Sequence, residues 1–445
     1  MNDFYILIIA HNEKESVKMM IESIRMAADV DNLSVVLVDN FSSDGLWDWA
    51  ENQEDITCVL MDEREIPVGH IINEVIDELQ IRGDILIIGG HYIVAPGCLS
   101  HMQKALYLND GVGAVSGLSN GFWMHQRSDS SSKLIQNILT VDESESKKVI
   151  GFYSDAVLFK GELLQETGKF DENRQNMYYI LKDYCLKAVL KGWQLRVCNS
   201  SFFFKTDGFN FNIYNNVEGE KFLEEKWGMH YFNLTHNDNL IDKINSDSED
   251  EIWVLEIGCD CGANLVEIQN RYPRAHLYGC ELNEKAASIA SCFAPVIKGN
   301  IEEKNLNFGN ETFDYIIFGD VLEHLHDPQE TVKYCRRFLK EDGCIVASIP
   351  NVMNISVVEE LLNGNFTYEE TGLLDKTHIH FFTFYELVRM FQESGYEIED
   401  IGMTVNLISD QQRKLIDQLL LLQSGSERFM YEAFQYLIRA RKREI

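Results

Sequence analysis

Trp253-Val254-Leu255-Glu256-Ile257-Gly258-Cys259-Asp260-Cys261-Gly262 reads as an apolar strand that ends in an acid and runs into a glycine-bearing bend. The stretch Ala263 to Arg271 that follows predicts a helix. Glycines at such a strand-to-helix bend let a ligand approach the backbone closely. Roughly 25 residues after Glu256, the strand His276 to Cys280 ends in Glu281, where a carboxylate can accept both hydroxyls of a ribose. A third strand, Pro295 to Lys298, leads into Gly299-Asn300-Ile301. A fourth, Phe313 to Phe318, leads into Gly319-Asp320-Val321-Leu322-Glu323-His324-Leu325-His326-Asp327-Pro328. Four successive strand ends thus carry polar groups to one crevice, the place where open α/β sheets bind ligands.

Upstream, the first half repeats the same rhythm. A strand Phe4 to Ala10 precedes a helix around Ser16 to Met26, and Leu33 to Val38 is a second strand. The helical stretch Val68 to Leu79 precedes a strand Asp84 to Ile88. Alternating strands and helices predict a mostly parallel sheet covered by helices. Between Asn210 and Glu251 the sequence turns polar and acidic. The expectation is therefore an α/β chain of two domains, 1–208 and 251–445, joined by a linker or helical region over 209–250.

The chain has 445 residues, 45% of them hydrophobic and 25% charged, as in ordinary globular protein. Its formal net charge is -32. A surface that negative repels phosphate backbones and anionic lipid, so no nucleic-acid partner is expected. No apolar run approaches the roughly 20 residues of a transmembrane helix, and Met1 to Ala10 lacks the basic start of a secretory signal. Ten scattered cysteines suggest a reduced, cytoplasmic setting. Cys259 and Cys261 lack a second pair, which argues against zinc.

The second half resembles the class I S-adenosylmethionine-dependent methyltransferases, in the branch with an "EHLxDP" loop and an "LKxGGxxxxSxPN" strand. The latter reads here Leu339-Lys340-Glu341-Asp342-Gly343-Cys344-Ile345-Val346-Ala347-Ser348-Ile349-Pro350-Asn351. The resemblance implies a Rossmann-like fold with S-adenosylmethionine as cofactor. Glu256, Gly258 and Gly262 would hold the methionine end, Glu281 and Leu282 the ribose side, and Asn300 and Ile301 the adenine. Asp320 and Val321 would line the same crevice. Three positions depart from the family: Asp260 in place of a small residue, Asn300 in place of aspartate, and Asp342 in place of the first glycine. Asn300 can still pair with an adenine amino group through its carbonyl oxygen. Leu373 to Thr383 resembles the family's "LDxTHxRFFT" element near the substrate mouth, and Ala433 to Ala440 resembles its closing antiparallel strand.

Methyl transfer is an in-line displacement, so the enzyme aligns a nucleophile and, for a hydroxyl, removes its proton. His378 and His324 are the expected catalytic bases, with His380 a further candidate. Their alternative role is to hydrogen-bond loops within the fold. No metal is expected. The one-turn spacing of Asp320, Glu323 and His324 nonetheless suits a hard or borderline ion, and some quinone-pathway relatives of this branch hold one on such a loop.

The first half resembles family 2 glycosyltransferases of the GT-A fold. The resemblance rests on Ile6 to Ser16, Val35 to Gly45, the Gly69, Asn73 and Arg82-Gly83-Asp84 set, Phe170-Asp171-Glu172, and Lys191-Gly192-Trp193. It implies that Asp39 sits at a nucleotide base, with Ala10 and His11 lining the pocket. Where that family places a metal-binding Asp-x-Asp pair, this chain has Gly89-Gly90-His91. Where it places an aspartate base, Tyr178-Tyr179-Ile180-Leu181-Lys182-Asp183-Tyr184 offers Leu181, which takes no proton. The expectation is a methyltransferase for a saccharide or glycoconjugate acceptor, with a glycosyltransferase-like half that binds acceptor or scaffolds. A bifunctional enzyme in which His91 or Asp183 takes over, a small-molecule or peptide N-methyltransferase, and a non-catalytic assembly factor are the alternatives. The oligomeric state is not legible in the sequence.

Overall fold

The computed structural model describes residues 3–61, 66–119, 146–152, 154–173, 176–206, 217–228, 234–422 and 425–443. They form two compact units, Met1–Leu234 and Thr235–Ile445.

The first unit contributes β1 (Phe4–Ala10), β2 (Leu33–Asn40), β3 (Ile56–Met61), β4 (Asp84–Gly89), β5 (Tyr92–Val94), β6 (Val112–Ser119), β7 (Ser146–Val149), β8 (Ala156–Phe159) and β9 (Gln194–Lys205). Among the described residues these make one nine-stranded sheet in the order β3-β2-β1-β4-β8-β6-β9-β5, with β7 on β9. β1 is apolar almost throughout because both of its faces are covered, as a central parallel strand requires. The helix Lys14–Ala27 places Val17, Met20, Ile21, Ile24 and Ala27 on one face and buries them against that strand's side of the core. The sheet is more mixed than the strand-helix rhythm implied. β8 runs antiparallel to both β4 and β6, and β5 and β7 run antiparallel to β9.

The second unit adds β10 (Trp253–Ile257), β11 (His276–Glu281), β12 (Val296–Lys298), β13 (Phe313–Gly319), β14 (Leu339–Pro350), β15 (Tyr396–Val405) and β16 (Ala433–Lys442). Their order is β12-β11-β10-β13-β14-β16-β15, parallel from β12 to β14, with β16 antiparallel between β14 and β15. The two-residue period of a strand sorts the side chains between two cores. Leu255, Ile257, Ile316, Phe318, Ile345 and Ala347 enter one, while Val254, Tyr315, Ile317, Cys344 and Val346 enter the other. From β10 the chain moves outward to β11 and β12, then returns to the opposite side at β13. That reversal opens a crevice beyond the carboxyl ends of β10 and β13.

Several motif residues have structural work. Asp327 caps the helix Pro328–Cys335 by accepting from Glu330 N at 2.9 Å, with proline in the first turn where its missing N–H costs nothing. Asn351 is fully buried: its amide donates to Met430 O at 2.9 Å and Ala433 O at 2.8 Å, and its Oδ1 accepts from Met353 N at 3.0 Å. It therefore ties the end of β14 to the start of β16.

Residues 209–250, expected to link the domains, divide between the units. The helix Val217–Trp227 lies in the first, and Leu240, Ile241 and Ile244 join a core of the second. Parts of that stretch, 209–216 and 229–233, lie outside the described residues. Among the described residues no helix is long and apolar enough to cross a membrane, and all ten cysteines are free.

Candidate functional site

Glu256 is the penultimate residue of β10 and is 1% exposed. Its Oε1 accepts from Asn264 Nδ2 at 2.6 Å, whereas its Oε2 is buried without a hydrogen-bond partner. Burial pushes its carboxyl up to about 8, helped by the negative charges of Asp260 and Glu281 and opposed by the Asn264 bond. The bend after it needs glycine twice. Gly258 and Gly262 have φ of +69° and +91°, and a Cβ on Gly258 would meet Val321 Cγ2 at 2.5 Å. Asp260, also left-handed at φ 44°, donates its backbone N–H to Glu281 Oε2 at 2.9 Å.

Glu281 ends β11, and its Oε1 accepts from Asn283 N at 2.7 Å. Each oxygen keeps a further lone pair, so the carboxylate retains capacity for hydroxyl donors. Leu282 beside it is 69% exposed. After β12, Asn300 spends its Oδ1 on Glu302 N at 2.9 Å as the cap of a short turn, and Ile301 is buried. That bond leaves Asn300 a second lone pair and its amide donors. After β13, Asp320 accepts from Gln435 Nε2 at 2.6 Å, and burial raises its carboxyl above the ordinary range. Val321 is half-buried. The sheet order puts these four strand ends side by side.

The histidines lie on the loops beyond. His324 is exposed and donates from Nδ1 to Thr377 O at 3.2 Å. The His378 side chain is 8% exposed and donates from Nδ1 to Leu373 O at 3.2 Å. In both, a loop carbonyl fixes the proton on Nδ1 and leaves Nε2 as the basic nitrogen. The two rings meet edge to face at 4.9 Å between centroids. Burial holds the His378 imidazole below its ordinary range, so it is neutral near pH 7. His380 Nε2 donates to His326 O at 3.2 Å and is spent on the loop.

Glu323 was not expected as a site residue by itself. It is 1% exposed, both carboxylate oxygens lack hydrogen-bond partners, and burial drives its carboxyl well above the ordinary range. His378 Nε2 lies 4.0 Å from Glu323 Oε1. Glu323, His324 and His378 offer ligand atoms within 4.8 Å of one another, whereas Asp320 is turned to Gln435. Asp375 holds the loop by accepting from Thr377 N at 2.7 Å and Thr377 Oγ1 at 2.6 Å. Asn264 was also missed; its position at the head of the helix Ala263–Arg271, eight residues after Glu256, was the available signal.

In the first unit, Asp39 at the end of β2 is buried, with Oδ1 accepting from Ser42 N at 2.8 Å and Oδ2 without a partner. Ala10 is buried beside it in the β1–β2 register, and exposed His11 donates from Nδ1 to Asn40 O at 2.7 Å. His91 stands between two acids, with Nδ1 3.4 Å from Glu13 Oε1 and Nε2 3.3 Å from Asp155 Oδ2. Burial alone would depress it, but the two carboxylates prevail and raise it to about 9. Asp155 also accepts from the Tyr92 hydroxyl. Leu181 is 1% exposed in the helix Met177–Leu190. Asp183 is saturated: its Oδ2 accepts from Lys187 Nζ at 2.8 Å and Lys226 Nζ at 2.9 Å, and its Oδ1 from Trp227 Nε1 at 3.0 Å.

Residues 231–401 match the family model described as a methyltransferase domain, and residues 5–167 match glycosyl transferase family 2. The chain is 25% identical over 164 residues to the ubiquinone biosynthesis O-methyltransferase of Neisseria meningitidis serogroup A, covering 35% of this chain and 68% of that one. It is 27% identical over 169 residues to the mitochondrial ubiquinone biosynthesis O-methyltransferase of Rattus norvegicus, covering 35% of this chain and 48% of that one. Among solved structures, a SAM-dependent methyltransferase from Archaeoglobus fulgidus aligns with 18% identity over 44% of this chain and 88% of that one, at a TM-score of 0.32. The chain is thus built from a glycosyl transferase family 2 domain followed by a methyltransferase domain.

Proposed function

We propose that the second domain transfers the methyl group of S-adenosylmethionine to an oxygen of a saccharide or glycoconjugate, and that the first domain no longer transfers sugar. The observation that carries the methyl-transfer reading is the pair of acids at the ends of β10 and β11. Glu256 holds a buried, unpartnered oxygen, and Glu281 keeps acceptor capacity for ribose hydroxyls. Glu256, Gly258 and Gly262 hold the methionine end, Glu281 and Leu282 the ribose, Asn300 and Ile301 the adenine, and Asp320 and Val321 the remaining wall. His378, neutral and with Nε2 available, takes the acceptor's hydroxyl proton as carbon–oxygen bond formation begins. His324 packs against it and orients it. Oxygen as the methylated atom also agrees with the O-methyltransferase relatives.

The chemistry of the first domain supports loss of transfer. At the metal position the His91 ring lies between the Glu13 and Asp155 carboxylates, so a divalent ion meets a place where both acids already face an imidazole. At the base position stands buried Leu181, and the surviving acid, Asp183, is engaged by two ammonium groups and an indole. The free oxygen of Asp39 favours retained nucleotide or glycan binding over a purely structural role. Ten free thiols fit a reducing, cytoplasmic setting.

Incubating the full chain with labelled S-adenosylmethionine and a panel of saccharides, phenols and amines tests the acceptor. Label in saccharide hydroxyls supports the reading, and label confined to phenols or amines refutes it. The same chain given nucleotide sugars with manganese is expected to release no sugar.

A further inference from the structure

Two aromatic rings stand in water near the candidate base. Phe366 is 39% exposed and Tyr368 is 53% exposed. Between ring centroids, Phe366 lies 5.7 Å from Tyr368 and 5.7 Å from Phe381, and Tyr368 lies 6.2 Å from Phe381. Phe381 in turn lies 6.3 Å from the His378 ring. These rings form a continuous aromatic surface that begins at His378 and runs outward. Rings left in water mark a place whose apolar area a ligand would cover.

Backbone hydrogen bonds hold this surface in place. Glu369 N donates to Leu374 O at 2.9 Å and Lys376 N donates to Glu369 O at 3.0 Å, which pairs the segment after Tyr368 with the one that leads to His378. The His378 loop is itself tied to the turn after β13, where Ile379 N and His380 N both donate to Glu323 O at 3.0 Å. A second observation, independent of the rings, points to a ligand here. Glu323 is 1% exposed, neither of its carboxyl oxygens has a hydrogen-bond partner, and its Oε1 lies 4.0 Å from His378 Nε2. That gap is too long for a direct hydrogen bond, and one hydroxyl oxygen about 2.8 Å from each atom spans it.

We propose that Phe366 and Tyr368 form an acceptor subsite that stacks the C–H face of a sugar ring, the one next to the ring whose hydroxyl reaches His378. This deepens, and rests on, the reading of the second domain as a saccharide O-methyltransferase. The C–H groups of a sugar ring carry partial positive charge and meet the negative face of an aromatic ring, while the hydroxyls at the rim stay in water. Phe366 and Tyr368 stand at 89° to one another, so they offer a floor and a side wall. Because the path from His378 to this pair passes through Phe381, the pair engages a ring beyond the methylated one. The subsite therefore selects an oligosaccharide over a monosaccharide. It touches no reacting atom and acts on acceptor binding alone.

The test gives the full chain labelled S-adenosylmethionine and methyl glycosides of glucose, galactose, mannose and rhamnose. Each is supplied as the monosaccharide and as a disaccharide extended by a second unit of the same sugar. The proposal predicts a KM about tenfold lower for the methylated disaccharide than for its monosaccharide. Phe366→Ala, Tyr368→Ala and the double variant are expected to abolish that ratio with kcat within about twofold. Phe366→Tyr and Tyr368→Phe keep the rings and should keep the ratio. Exposed positions tolerate such replacements, so folding is preserved. Equal KM values for the two lengths in the wild type, a ratio that survives the double variant, or a loss of kcat at unchanged KM would overturn the subsite while leaving saccharide methylation intact. Label confined to phenols or amines would overturn the saccharide reading as well, which separates the two failures.

Discussion

Glu256 is a buried carboxyl whose burial raises it well above the ordinary carboxylate range. Burial raises its ordinary value of 4.5 to about 8, so between those values the folded chain binds a proton that the unfolded chain does not. Stability contributed by this group is present below the lower value and lost as pH rises toward the upper one. Thermal melts of the cofactor-free chain are therefore expected to fall between about pH 5 and 8, and Glu256→Gln is expected to flatten that slope while lowering S-adenosylmethionine affinity at least about tenfold. An unchanged slope would remove Glu256 as its origin. His378 gives a second expectation at this scale. Because burial holds its imidazole low, the acidic limb of the turnover profile should lie below the ordinary 6.5. His378→Ala should cut turnover about 100-fold or more with cofactor affinity within about twofold, and equal losses in both would reassign it to the loop. Glu256, Glu281 and the histidines could be named as candidates from the sequence because each lies at the end of a strand or in a motif. Glu323 was legible only through its spacing with Asp320 and His324, not through His378 55 residues away, and Asp155 and Lys226 were not legible because their meaning depends on partners 64 and 43 residues away, at His91 and Asp183.

Among the elements, β10 and its following helix were readable from one decapeptide because a strand buried on both faces must be apolar, and a bend that approaches a ligand must carry glycine. The helix Ala263–Arg271 has the bounds its pattern predicts. The antiparallel insertion of β8 between β4 and β6 was not readable, since Ala156–Phe159 is a four-residue apolar run whose direction no local pattern sets. Asn351 shows what a motif residue does for the fold rather than for chemistry. Asn351→Ala removes the amide donor to Met430 O and the acceptor for Met353 N at the junction of β14 and β16, while Ala433 O keeps Asn354 Nδ2 at 2.9 Å. It is expected to cost about 2–4 kcal/mol, measured by urea unfolding at constant slope. A loss under about 0.5 kcal/mol would mean that water replaces the amide.

For the whole molecule, two compact units with separate cores should melt as two cooperative transitions. S-adenosylhomocysteine at about 100 times its dissociation constant should raise one of them by roughly 5–10 °C and leave the other in place. A single transition shifted as a unit would instead require coupling between the domains. The most direct measurement is a crystal structure of the full chain soaked in S-adenosylhomocysteine. The account predicts both ribose hydroxyls on the Glu281 carboxylate and the amino-acid end of the ligand beside Glu256 Oε2. A crevice that stays empty, or a ligand bound away from these two acids, would contradict it.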